Sequence, residues 1–331
     1  MKYSKFTRKI SARVLALMIM CIMAVLSLSG CASSSGGQTQ EEATAVSEQT
    51  TAEAVQEVSG ETVAEDAAET EASGEEQTST SDVLKVQVLK VGKADAMVLT
   101  CGGQTMVIDC GEEEDGQEVV DYLEGQGIEK IDILLITHFD KDHVGGADTV
   151  VEQIAVDRII LPAYEGTSSE YSDFMLAVEN AGITPERVTA VQTLQLGLAT
   201  ATVEPPESYE IEDSSEEYDN NFSLITTVEF GSKRMVFAGD IEKKRIREWL
   251  AGGTAQQCDV LKVPHHGFYN AALEELFATL QPTYAVICDS EKNPAADKTL
   301  ELLKKYGADY LETKDGDITI LCDGENIEIH Q

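Results

Sequence analysis

The segment Thr137-His138-Phe139-Asp140-Lys141-Asp142-His143 decides how the rest of the chain is read. It sets four potential metal ligands, His138, Asp140, Asp142 and His143, within six residues. That spacing is too close for one helical face and suits a tight loop wrapped around a metal pair. The competing reading is a solvated polar loop with capping aspartates. Just upstream, residues 131–136 are nearly all β-branched or leucine, as in a strand covered on both faces, and they deliver His138 at the strand's C-terminal end. Only five histidines occur in the chain, and His138, His143, His265 and His266 all stand at expected strand-to-loop exits.

Outward from this segment, hydrophobic periodicity predicts a mixed α/β (α+β) domain. Residues 84–89 alternate apolar and polar as a half-buried strand, and residues 96–101 and 105–109 flank a Gly102-Gly103 hairpin turn. Helices are expected over residues 117–126, 147–154, 168–181, 242–250 and 299–306, with strands over 158–161, 188–203, 224–230, 234–238, 260–263 and 284–288. Two strand blocks with interleaved helices predict two sheets packed face to face with helices outside, and strand-end loops along one rim.

The ends of the chain read differently. Lys2, Lys5, Arg8, Lys9 and Arg13 precede an apolar run over 14–28, the pattern of an export signal; about 15 apolar residues fall short of the roughly 20 that span a bilayer. Leu28-Ser29-Gly30-Cys31 resembles a bacterial lipobox, so residues 1–31 are expected to be a lipoprotein signal peptide with lipidation at Cys31. This predicts an extracytoplasmic protein anchored to the cell membrane. Residues 32–82 hold thirteen acidic residues and no Lys or Arg, and are expected to be a disordered acidic tether. Residues 83–331 form the expected hydrolase domain.

Of the 60 acidic and 24 basic residues, 47 and 19 lie in that domain. Such a surface repels polyanions at long range, so an anionic substrate must be held by local positive charge. Cys101, Cys110, Cys258, Cys288 and Cys322 lack metal-site spacing; Cys101, Cys288 and Cys322 read as buried core residues, with a Cys101–Cys110 bridge as an alternative.

Ile108-Asp109-Cys110-Gly111, residues 138–146, Gly239-Asp240 and His265-His266-Gly267 together resemble the successive motifs of the metallo-β-lactamase superfamily. The resemblance spans roughly residues 83–329 and implies a four-layer αββα sandwich. Within the superfamily the chain is most similar to the ComEC type, the hydrolase domain of a bacterial DNA-internalisation competence protein, and to phosphorylcholine esterases of bacterial surfaces. Val91-Gly92-Lys93-Ala94-Asp95-Ala96 resembles their Val-Gly-x-Gly-Asp-Ala turn, Asn220-Asn221-Phe222-Ser223-Leu224 their Asn-containing strand start, and Val263-Pro264-His265-His266-Gly267 their Val-Pro-His-His-Gly.

This resemblance implies one divalent metal held by His138 and Asp140, with Asn220 close by, a second by Asp142 and His143, and Asp240 bridging both. His266 is expected to complete the second site and His265 to face substrate, because neighbours on an extended segment point to opposite sides. Asp142, Asp240 and His265 are then the catalytic candidates. Asp140 and Asn220 replace histidines of the usual superfamily pattern, which enriches the set in oxygen and makes manganese or magnesium credible beside zinc. Lys93-Ala94 replaces the family's usual Gln-Gly, and Asp289 to Pro294 lacks the family's late histidine. Asp109 reads equally as an orienter of the metal loop or as a turn cap, and Asp95 as a cap.

The function implied is a surface-anchored phosphodiesterase or nuclease-like phosphoesterase that uses metal-activated water, with nucleic acid only as a potential substrate. The alternatives are a phosphorylcholine-type esterase of cell-wall polymers and a non-catalytic, metal-containing surface binding protein.

Overall fold

A computed structural model describes residues 83–210 and 218–331. The expected signal peptide (1–31), Cys31 and the acidic tether (32–82) lie outside the described residues.

The chain first lays down β1 (Leu84–Val88), β2 (Ala96–Cys101), β3 (Gln104–Cys110), β4 (Lys130–Leu135), β5 (Ala155–Pro162) and β6 (Glu186–Val188). It then builds a second sheet from β7 (Gln192–Leu196), β8 (Ala199–Glu204), β9 (Ile225–Phe230), β10 (Lys233–Phe237), β11 (Val260–Lys262), β12 (Tyr284–Ile287) and β13 (Asp309–Glu312). Finally β14 (Ile318–Cys322) and β15 (Ile327–His330) return to the first sheet, giving the orders β15-β14-β1-β2-β3-β4-β5-β6 and β13-β12-β11-β10-β9-β8-β7. Each sheet is antiparallel on one side and parallel on the other, where β3 to β6 and β10 to β13 run side by side. Parallel neighbours need crossover helices, and those crossovers cover the outer faces.

Three apolar clusters show the layering. Between the sheets lie Val86, Met97, Leu99, Ile108, Leu135, Val228, Met235 and Ile320. Outside the first sheet, α1 (Gly116–Gly125), α3 (Ala147–Gln153) and α4 (Ser169–Ala181) bury Val119, Leu123, Val150 and Phe174 against Val107, Leu134 and Ile159. The short α2 (Lys141–Val144) precedes α3. Beyond the second sheet, α6 (Lys243–Gly252), α7 (Leu273–Leu280) and α8 (Asp297–Lys305) bury Ile246, Trp249, Leu276, Phe277 and Leu303 against Val236, Leu261 and Ala285. One further turn, α5 (Tyr218–Asn221), leads into β9. The architecture is the four-layer αββα sandwich, and alternation along each inner strand produces it by sending one set of side chains to the central cluster and the next to a helical layer.

Local signals set several element ends. The hydroxyl of Ser168 accepts from Tyr171 N–H at 3.1 Å and caps α4, which stops at Gly182 with φ 71°. Glycine is required where α3 starts: a Cβ on Gly146 would stand 2.5 Å from the Cys110 carbonyl oxygen and from Gly116 Cα. That close approach presses the metal-loop segment against the end of β3.

Three expectations are corrected. Residues 141–144 are one helical turn and not an open loop, because Val144 N–H and Gly145 N–H reach back to Asp140 and Lys141 carbonyls at 3.0 Å. Cys101 and Cys110 form no bridge: Cys101 pairs with Gln104 and Cys110 with Ala96, placing them at opposite ends of the β2–β3 hairpin, and all five described cysteines are free and buried. β6, α7, β13, β14 and β15 were not anticipated; β6 is three residues long, β13 and β15 are four-residue strands at the sheet edges, and β14 is a five-residue strand beside β15.

Candidate metal centre

The parallel halves of both sheets end on one rim, and the backbone there is cross-tied. Leu224 N–H donates to the Thr137 carbonyl at 3.0 Å, Asp95 N–H to the Asp142 carbonyl at 3.0 Å, and His265 N–H to the Gly239 carbonyl at 3.3 Å. These bonds join the turn after β1, the loop after β4, the loop after β10 and the loop after β11.

Around this junction His138, His143 and His266 converge. The rings of His138 and His143 lie 4.0 Å apart, and those of His143 and His266 5.4 Å apart. Each histidine has its Nδ1 occupied. His143 Nδ1 lies 2.8 Å from Asp109 Oδ2, and His266 Nδ1 lies 2.9 Å from the Cys288 carbonyl oxygen, which can only accept. The Thr137 hydroxyl donates to Asp109 Oδ2 at 2.7 Å and so accepts from His138 Nδ1 at 3.1 Å. Every Nδ1 is thereby the donor, and every Nε2 is left as the lone-pair nitrogen. All three Nε2 atoms are buried without a hydrogen-bond partner. A buried imidazole nitrogen left bare is costly unless something binds it.

Carboxylates face those nitrogens. Asp240 Oδ2 is 3.3 Å from His143 Nε2 and 3.1 Å from His266 Nε2; Asp142 Oδ2 is 3.5 Å from His266 Nε2; Asp140 Oδ2 is 3.7 Å from His138 Nε2. Two triads, His138-His143-Asp240 and Asp142-His143-His266, each bring their ligand atoms within 4.8 Å of one another. The donor set fits divalent cations.

Burial pushes the Asp240 carboxyl up, but His266, His143 and Lys262 reverse this and hold it well below the usual range. Asp142 behaves alike: burial raises it, and the proximity of His266 and the charge of His143 outweigh that. For His143 burial favours the neutral ring, yet Asp240, Asp109 and Asp95 raise its pKa well above the ordinary value. Excess negative charge thus accumulates here and is ready to be matched by cations.

Asp109 settles between its two readings as an orienter. Held at φ 59°, it accepts from Thr137 N–H and Thr137 Oγ1, both at 2.7 Å, and fixes His143. Asp95 corrects the capping expectation. It is fully buried, ion-paired with Lys262, with Oδ1 3.5 Å from His266 Nδ1 and Oδ2 3.8 Å from His143 Nδ1. Lys262 was missed altogether. It is 1 % exposed, and its Nζ contacts Asp95, donates to the Gly239 carbonyl at 3.1 Å and lies 3.3 Å from Asp240 Oδ1. It holds one oxygen of Asp240 while the other faces the histidines. A lysine inside the apolar strand Val260-Leu261-Lys262-Val263 was the available signal, since lysine is almost never buried unpaired.

The two adjacent histidines separate, though not for the reason expected. Pro264–Gly267 is a 3-10 turn with positive φ at both residues, 48° at His265 and 51° at His266, so the segment is not extended. His266 enters the cluster. His265 stays at the rim, with Nδ1 2.9 Å from Glu242 Oε1 and its ring stacked on the exposed Phe268 at 5.3 Å. Asn220 donates through Nδ2 to Glu242 Oε1 at 3.4 Å and leaves a buried Oδ1 without a hydrogen-bond partner. Asp289 is drawn away from the centre by Ala295 and Lys314.

The family model of the metallo-β-lactamase superfamily matches residues 89–217, which include His138, Asp140, Asp142 and His143. The domain belongs to that superfamily. Two relatives place this metallo-β-lactamase domain near the ComEC type: ComE operon protein 3 of Bacillus subtilis, 31% identical over 204 residues, and Recombination protein 2 of Haemophilus influenzae, 26% identical over 215. The alignments cover 60% and 63% of this chain but only 25% of each relative. Among solved structures, the metallo-β-lactamase fold protein YhfI from Bacillus subtilis is similar at 12% identity and TM-score 0.47, over 69% of this chain and 95% of that one. The domain thus carries the metallo-β-lactamase fold with a candidate divalent-metal site.

Proposed function

We propose that the chain is a phosphoesterase, a phosphodiesterase or nuclease-like hydrolase, held outside the cell membrane by a lipid on Cys31. The observation that carries the reading is the donor set: three buried, partnerless imidazole nitrogens facing Asp140, Asp142 and Asp240. His138 and Asp140 would hold one divalent ion, His143, Asp142 and His266 another, with Asp240 between them. Bound divalent ions would lower the pKa of water toward neutrality and neutralise charge on a phosphoryl oxygen. An oxygen-rich set suits the harder ions that serve phosphate chemistry. The name of one relative, Recombination protein 2, also points to nucleic acid.

The chain's own residues do the rest. Asp109, Thr137 and the Cys288 carbonyl lock three imidazoles in the tautomer that exposes Nε2. Lys262 restrains Asp240 Oδ1. His265 donates through Nδ1 to Glu242 and, in its imidazolium form, can also donate through Nε2 to the leaving group. Hydrolysis of bis-p-nitrophenyl phosphate or short single-stranded DNA, abolished by chelator and by His138→Ala, is expected; a metal-loaded protein inert toward every phosphodiester would refute the reading. A second reading, an esterase releasing phosphate-linked groups from cell-wall polymers, draws on the domain's 47 acidic against 19 basic residues, which oppose long polyanions.

A further inference from the structure

We infer that Lys93 and the cavity it lines form a subsite for a single phosphate group beside the metal centre, making the substrate a short phosphoester and not a long polyanion. The inference rests on the phosphoesterase reading and adds the substrate class to it.

Lys93 Nζ lies 2.9 Å from Asp142 Oδ2, the same oxygen that lies 3.5 Å from His266 Nε2. Among the described residues two lysines touch carboxylates of the centre. Lys262 is sealed at 1 % exposure, whereas the Lys93 side chain is 29% exposed. Only Lys93 can therefore meet a substrate. An Asp142 oxygen shared with a divalent cation holds an ammonium less tightly, because the two positive charges repel. The lysine stem follows Gly92, at φ 74°, and opens onto a cavity of about 560 Å³ that includes Asp142 in its wall. Lys90, Lys141 and Lys292 line the same cavity, arriving from three different segments. With 19 basic against 47 acidic residues in the domain, four lysines facing the five carboxylates Glu112, Glu114, Asp115, Glu118 and Asp142 bring this mouth of the centre close to neutral.

Carboxylates in the same lining limit the size. Glu112, Glu114, Asp115 and Glu118 line the cavity beside the lysines, and Lys141 is engaged by Glu112 at 3.3 Å. A second and third phosphate running along the cavity would meet these carboxylates. One phosphate held by Lys93 next to the metals is what the charges allow, with Lys90 and Lys292 adding weaker attraction. Lysine serves here as a mobile point charge.

The test uses full-length, manganese-loaded protein and inorganic phosphate as the probe in isothermal titration calorimetry. Lys93→Met should weaken phosphate binding about tenfold, and Lys93→Arg should keep it within about threefold. Metal affinity, measured by chelator competition without phosphate, should match wild type in both. With a dinucleotide substrate, Lys93→Met should raise KM more than it lowers kcat, and lengthening the substrate to a tetranucleotide should leave the wild-type KM within about threefold. Unchanged phosphate binding in Lys93→Met, or a parallel fall in metal affinity, would overturn the subsite and make Lys93 a brace for Asp142. If wild type hydrolyses no diester while phosphate binding still falls in Lys93→Met, the subsite stands and the phosphoesterase reading fails. A wild-type KM that falls about tenfold with each added phosphate would refute the single-phosphate limit.

Discussion

At the scale of single residues, the centre depends on side chains that never meet substrate. Lys262 is a buried cation between Asp95 and Asp240. Replacing it with methionine removes its charge and leaves two buried carboxylates facing each other, a defect worth about 3–5 kcal/mol when one partner of a buried pair is lost. Lys262→Met is therefore expected to lower metal-free stability by about that much in urea titrations, with zinc or manganese restoring part of it; equal urea midpoints with chelator present would contradict the role given to Lys262. Asp115 supplies a pH test. Burial, opposed by the Glu112 N–H bond, raises its carboxyl to about 6 from 3.8. The folded state then binds its proton more tightly than the unfolded state, so this group's contribution to stability is fully present below pH 4 and is lost as pH rises through about 6. Asp115→Asn should stabilise the protein at pH 8, by about 1 kcal/mol once solvent screening is allowed for, and the gain should vanish near pH 4.

Elements position those residues through close backbone contacts. Gly146 sits where α3 meets the end of β3, and a methyl group there would stand 2.5 Å from backbone atoms of Cys110 and Gly116. Gly146→Ala should destabilise the domain by about 2 kcal/mol or more, read as a lowered urea midpoint, and should weaken metal binding through displacement of Asp109 and His143. The same scale explains what was legible in the sequence. Residues 131–136 and 260–263 could be read as strands because parallel, doubly covered strands are continuous apolar runs, and each points at a histidine. The edge strands β13 and β15 could not, since runs of four residues are too short to set a period apart from the surrounding loops. Asp140 to Val144 reads as a loop because three ligand-type residues, Asp140, Asp142 and His143, hide a single helical turn whose hydrogen bonds are made by the backbone alone. Asp95 and Lys262 lie more than 160 residues apart, and nothing local announces that they pair. The His265–His266 turn is likewise invisible, because positive φ at two successive non-glycine residues is imposed by the surrounding loops.

For the whole molecule, the two sheets bring together residues that the chain presents far apart. His138 and His143 come from the first sheet's loops, Asp240 and His266 from the second's, and neither sheet alone holds a complete ligand set. Under the proposed function, the acidic surface and the lysines at the cavity mouth would suit a hydrolase of small phosphoesters, and the expected anchor would hold it at the cell exterior. If Cys31 carries the anchor, Cys31→Ser should move the protein from the membrane fraction to the soluble fraction and abolish incorporation of labelled palmitate; unchanged partitioning would remove the anchor from the account.

The central claim is that the buried Nε2 atoms and the carboxylates opposite them hold divalent metal. Elemental analysis of purified protein, wild type beside Asp240→Ala, tests it most directly. The account predicts two tightly bound divalent ions per chain, falling to one or fewer in the variant. No metal in the wild type, or one ion unaffected by Asp240→Ala, would contradict it.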